Sequence, residues 1–156
     1  MPQTHIDQLS DDAKVWVFGI SPALSDEQGA LLLRHVDAFL AEWAAHGAPI
    51  RSARELRDGA FLIVAADETS ETSGCSIDRL FGTLKSLERQ FGVAILDANR
   101  IFFRDNGNVR AVPRAEFRNA ASLDSIVFDV TAERLAQIRG GFEKRAAESW
   151  HARLLG

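Results

Sequence analysis

A single cysteine, at position 75, rules out any disulfide framework in these 156 residues. No apolar run approaches the roughly 18 residues of a membrane-spanning helix, so no membrane association is expected. The first residues lack a charged stretch, an apolar core and a small-residue cleavage site, so the expected location is cytoplasmic. The catalytic signatures that are easiest to read are missing too. There is no Gly-x-x-x-x-Gly-Lys-Ser/Thr loop to cradle phosphates, no Gly-x-Gly-x-x-Gly after the first strand, and no Gly-x-Ser-x-Gly nucleophile elbow. The four histidines, His5, His35, His46 and His151, are scattered, and Cys75 has no cysteine partner, so neither a metal site nor a cofactor is expected.

Charge narrows the partners further. Eighteen basic against twenty-two acidic residues give a net charge of -4, which disfavours general nucleic-acid binding but leaves room for a local basic site. Arg100, Arg104, Arg110, Arg114 and Arg118 form one local cluster. Asp97, Asp105 and Glu116 interrupt it, and a solvated face of mixed charge explains it better than an anion or RNA contact.

With 46% hydrophobic and 26% charged residues, the chain has the composition of one compact domain over 13–156, preceded by a polar arm or docking piece over 1–12. Lys14 to Ile20 is a short apolar run, read as a buried strand. Ser25 and Gln28 have capping-box spacing, and Leu32, Leu33, Val36, Phe39, Leu40 and Trp43 recur at helical steps. Asp58-Gly59 is a tight-turn pair between strands 51–57 and 60–66, of which Phe61-Leu62-Ile63-Val64 reads as central and buried. Ile77, Leu80, Phe81, Leu84, Leu87 and Phe91 mark a second helix closed by Gly92. A second hairpin turns at Asn106-Gly107, a helical turn follows Pro113, and a strand is read over 125–129. The tail reads as helix, bent or divided at Gly140-Gly141. The order strand, helix, strand, strand, helix, strand predicts an α+β fold. Its expected form is a ferredoxin-like βαββαβ core, mainly antiparallel, with an extra hairpin and C-terminal helices.

The stretch most suggestive of chemistry joins a buried strand to a helix: Asp67-Glu68, a small-residue loop, then Ser73-Gly74-Cys75-Ser76-Ile77-Asp78. A thiol near a helix start meets unpaired N–H groups, which favour thiolate and can bring its pKa from about 8.5 to about 3.5–7.5. Cys75 is therefore a nucleophile candidate, with His46 as base if the fold brings them together. Nearby carboxylates oppose this, and Cys75 as a small buried hydrophobe beside a Ser76 cap is the plainer reading. The N–H groups of the same turn can instead hold an anion. Asp67 and Glu68 can bind a cation or act as acid and base, but adjacent residues on an extended chain face opposite ways. His46 at a helix end suits favourable cation placement, and Trp16, Trp43 and Trp150 suit core packing better than a ligand floor.

With Trp43-Ala44-Ala45-His46-Gly47, Asp67-Glu68, Ser73-Gly74-Cys75-Ser76-Ile77-Asp78 and Ser149-Trp150 taken together, the chain from Trp16 to Trp150 resembles a small, uncharacterised bacterial family. Its members are sometimes labelled ABC transporter ATPase. That activity needs the P-loop missing here, so the resemblance implies a grouping and no catalytic residues. The functional expectation is ligand binding, through a small anion or a protein partner near 67–78. Asp67, Glu68, Ser73, Gly74, Ser76 and Asp78 would form the site, and a sheet edge could pair two copies as a homodimer. The alternative is a thiol enzyme or redox sensor using Cys75.

Overall fold

The computed structural model describes residues 5–45, 51–67 and 74–155. It is a mixed α and β protein with antiparallel sheets, and its local elements follow the sequence pattern closely. β1 (Lys14–Gly19) leads to α1 (Asp26–Ala45). That helix is capped reciprocally: the Gln28 N–H donates to Ser25 Oγ at 3.2 Å, and the Ser25 N–H donates to Gln28 Oε1 at 3.0 Å. β2 (Ser52–Arg57) and β3 (Phe61–Ala66) form the expected hairpin. Asp58 (φ 56°) and Gly59 (φ 63°) are both left-handed, as a two-residue primed turn requires. A Cβ on Gly59 would lie 2.7 Å from the Leu24 carbonyl oxygen, so this position needs glycine for space as well as for φ.

α2 (Gly74–Phe91) follows, then β4 (Arg100–Asp105) and β5 (Asn108–Pro113) around Asn106 (φ 52°) and Gly107 (φ 84°). α3 (Arg114–Ala120), β6 (Ile126–Phe128), α4 (Leu135–Gly141), β7 (Glu143–Arg145), a 3-10 turn at Ala146–Glu148 and α5 (Ala152–Leu155) complete the order. The tail expected to be helical is thus split, and the chain leaves α4 at Gly141, φ 145°, to enter a strand.

The ferredoxin-like expectation holds only through α2. That order would return β4 to the first sheet, but sheet one contains just β1-β3-β2, and β4 builds a second sheet of order β5-β4-β6-β7. Two features account for this. The outer edge of β1 is already occupied, since Val15 N–H donates to Glu133 O and Lys14 bridges Arg134. In addition, β4 is apolar on both faces and pairs locally with β5 through the Asn106-Gly107 turn.

Side-chain alternation then stacks the layers. In β3, Leu62, Val64 and Ala66 face α1 and α2, while Phe61, Ile63 and Ala65 face the second sheet. In β4, Phe102 faces sheet one, and Ile101 and Phe103 face α3 and α5. The result is helices, sheet, sheet, helices. All six β3 residues are buried, which explains a strand with no polar position. The middle core is aromatic: Phe61 lies 5.3 Å from Phe102, 4.5 Å from Phe128 and 5.1 Å from Phe142 between ring centroids.

The N-terminal segment packs on this middle core. Leu9 and Ala13 are buried in it, and the Arg139 guanidinium donates to Leu9 O at 2.7 Å, to Ile6 O at 3.2 Å and to Asp11 Oδ1 at 2.7 Å. Among the described residues, no helix is long and apolar enough to cross a membrane.

Candidate functional site

Most of the sequence-derived site falls outside the described residues. His46, Glu68 and Ser73 lie there, as do the side chains of Cys75 and Ser76. Gly74 is the first residue of α2, so the helix begins two residues before the serine expected to cap it. Asp78 is exposed on that helix. Asp67 is half-buried and has a structural job. Its Oδ1 accepts from Ser10 N–H and Oγ, both at 3.4 Å, and its Oδ2 sits 3.6 Å from Arg51 Nη1. Its own N–H donates to Arg51 O at 2.9 Å. The carboxylate therefore fastens the N-terminal segment to the first sheet.

The arginine cluster is also dispersed by the fold. Arg104 is held by Glu143 at 2.6 Å and Asp58 at 3.4 Å and lies over the Phe128 ring, while Arg110 pairs with Asp105 at 3.1 Å. Of the five, Arg100 and Arg114 line an open cleft beside Phe102.

That cavity opens where the ends of β1, β4 and β6 meet, and it has two adjoining chambers. One, of about 250 Å³, is walled by Phe18, Gly19, Phe81, Ile95, Leu96 and Phe102. The other, of about 120 Å³, is walled by Asn99, Arg114, Thr131, Trp150 and His151. Ala98, Arg100, Phe102, Val130 and Thr131 border both. Gly19 sets the back wall, because a Cβ there would overlap the Phe102 ring. A depression of about 510 Å³ beside Ser25 and Gly59 is larger but shallower, and the Ser25 hydroxyl and backbone N–H there are already engaged in the α1 cap.

His151 is the buried polar residue of the second chamber, with 1% exposure. It stacks on Trp150 at 3.8 Å between ring centroids and tilts against Phe117 at 6.0 Å. Burial pushes its pKa down from 6.5 to about 4. Asp129 opposes that shift and Lys144 adds to it, so the ring is neutral at pH 7. Ser149 Oγ lies 2.5 Å from Nδ1 and also accepts the His151 N–H at 3.4 Å. With the hydroxyl donating to Nδ1 the ring proton sits on Nε2, and with Nδ1–H donating to the hydroxyl Nε2 is an acceptor.

Nε2 has no protein partner among the described residues. Among the described residues the sealed, unpartnered side-chain polar atom is Trp43 Nε1 in the helix-side core, so Nε2 is not sealed, and His151 is in the wall of the second chamber. The rim around it is fixed by one carboxylate: Asp129 Oδ1 accepts from Trp150 Nε1 at 3.2 Å, from Thr131 N–H at 3.1 Å and from Thr131 Oγ1. Arg100 is neutralised by Asp97 at 3.1 Å. Arg114 is exposed at the mouth, and its guanidinium makes no hydrogen bond or ion pair among the described residues.

Sequence reasoning passed over this site. From the sequence Trp150 reads as core packing and His151 as one of four scattered histidines. The available signal was a histidine beside a tryptophan and a serine in Ser149-Trp150-His151, which becomes legible only once β6 is known to bring Asp129 alongside. Among the described residues no group of three or more His, Cys, Asp or Glu can hold a metal ion. No protein family, curated protein or solved structure matches this chain.

Proposed function

We propose that this protein is a binding domain for a small anionic ligand, received in the cleft between the two sheets. The observation that carries the reading is a neutral, almost fully buried imidazole, its Nε2 without a partner among the described residues, in the wall of the same chamber as Arg114, whose guanidinium is unpaired among those residues. Buried polar atoms in proteins are nearly always partnered, so one left open on a cavity wall marks a place for a ligand atom. In its Nε2–H tautomer the imidazole contributes a directional N–H, Arg114 contributes charge, and the Asp129 anchor holds Trp150 and Thr131 in place. Ser149, whose hydroxyl meets His151 Nδ1, is not in the wall of either chamber, which favours binding over catalysis there.

The test is a heteronuclear NMR titration of the whole chain with acetate and with inorganic phosphate. Saturable shifts at the Trp150 indole and the His151 ring, lost in Arg114→Gln, are the expected result. Shifts confined to residues away from the cleft, or none, would overturn it.

The connection over 67–78 supports a second reading, an anion, partner or thiol site at Cys75, on sequence grounds alone. Its test is iodoacetamide alkylation of the native chain against pH. An apparent thiol pKa well below about 8.5 would favour thiol chemistry, and native protection would remove it.

A further inference from the structure

We infer that the ligand class is a monocarboxylate carrying a compact apolar tail, of the size of one aromatic ring. The inference rests on the cleft being the binding site and adds what each chamber takes. Charge selects the head. Of the cationic groups around the cleft, Arg100 is matched by Asp97 at 3.1 Å, His151 is neutral, and Lys144, near enough to act on His151, is set against Asp129, which leaves the charge of Arg114 in excess. Asp97 is also in the wall and Asp129 stands behind Thr131 and Trp150. A phosphate dianion would bring a second negative charge into this setting with nothing to balance it, whereas a monoanion balances Arg114. The donors agree with this. A planar guanidinium fork matches a carboxylate bidentately, and in the Nε2–H tautomer His151 supplies one further directional bond. The 120 Å³ of the polar chamber suits a small head rather than a branched one.

The adjoining chamber selects the tail. Its walls are Phe18, Phe81, Ile95, Leu96 and Phe102, with Gly19 letting the Phe102 ring close the back. Phe18 and Phe81 already meet edge to face at 5.6 Å, a geometry that accepts a third ring. An apolar cavity of about 150 Å³ is enough for benzene, so about 250 Å³ takes a phenyl ring with a short linker to the shared wall at Arg100 and Thr131.

The experiment is calorimetric titration of the intact protein with phenylacetate, acetate, inorganic phosphate and benzyl alcohol. Phenylacetate is expected to bind on the order of a hundredfold more tightly than acetate, the value of burying one ring. Benzyl alcohol is expected to bind weakly and to be insensitive to Arg114→Gln, while phenylacetate loses about tenfold in that variant. Ala98→Phe, a change at an exposed wall position shared by both chambers, should abolish binding of both ring compounds without unfolding the chain. Phosphate or acetate binding at least as tightly as phenylacetate would overturn the ligand class while leaving the cleft as an anion site. No binding by any of the four would overturn both. Ring compounds that bind equally well to Ala98→Phe would place the site elsewhere and overturn the inference.

Discussion

Lowering the pH from 7.5 to 5.0 should destabilise this protein through His151, by an amount that follows from its burial. The ring titrates near 6.5 in the unfolded chain and at about 4 in the folded one, because burial disfavours its charged form. Between those values the unfolded chain binds a proton that the folded chain does not, so stability falls as pH falls and levels off below about 4. The full difference corresponds to about 3 kcal/mol, and about 2 kcal/mol of it is expressed by pH 5.0, where most carboxylates are still ionised. The assay is urea unfolding followed by tryptophan fluorescence, on the natural chain and on His151→Gln. With a urea slope of about 2 kcal/mol/M, the natural chain should lose about 1 M in its midpoint between pH 7.5 and 5.0 beyond whatever the variant loses. Parallel pH profiles for the two proteins would refute the reasoning, as would a His151 ring proton resonance that titrates near 6.5 in the folded state.

Three further outcomes follow from the fold. Gly59→Ala should cost about 2 kcal/mol or more, since it adds a left-handed penalty to a Cβ 2.7 Å from Leu24 O, whereas Gly107→Ala, with nothing within 4 Å, should cost about 1 kcal/mol; paired denaturation curves would show whether the gap exists. Phe61→Ala removes the ring that touches Phe102, Phe128 and Phe142, and a loss of about 3–5 kcal/mol is expected; a loss under about 1 kcal/mol would mean the two sheets are not held by this core. Arg139→Ala should raise amide exchange over residues 6–11 on the order of tenfold while leaving β3 protected; unchanged exchange there would show that the segment is held by Leu9 packing alone.

The elements were readable because their causes are local. Capping by Ser25 and Gln28, left-handed pairs at Asp58-Gly59 and Asn106-Gly107, and the 3.6-residue spacing of Ile77 to Phe91 need no knowledge of the fold. The assignment of strands to sheets was not readable. Alternation in Phe61 to Ala66 says that both faces are covered, but not that one is covered by helices and the other by a second sheet. Ile101-Phe102-Phe103 carried that hint, an apolar run too short for helix and too continuous for one wet face. The cleft was hidden for the same reason. Its walls come from β1, α2, β4, the start of α3, the end of β6 and the turn before α5, and each residue is ordinary in its own segment. The sequence drew attention instead to the local cluster at 67–78, where Asp67 turned out to fasten the N-terminal segment.

A crystal structure of the protein grown with phenylacetate is the most direct test of the binding site. The carboxylate is expected on the Arg114 guanidinium and within hydrogen-bond reach of His151 Nε2, with the ring among Phe18, Phe81 and Phe102. An empty cleft at saturating ligand, or a His151 Nε2 bonded to a protein group instead, would contradict it.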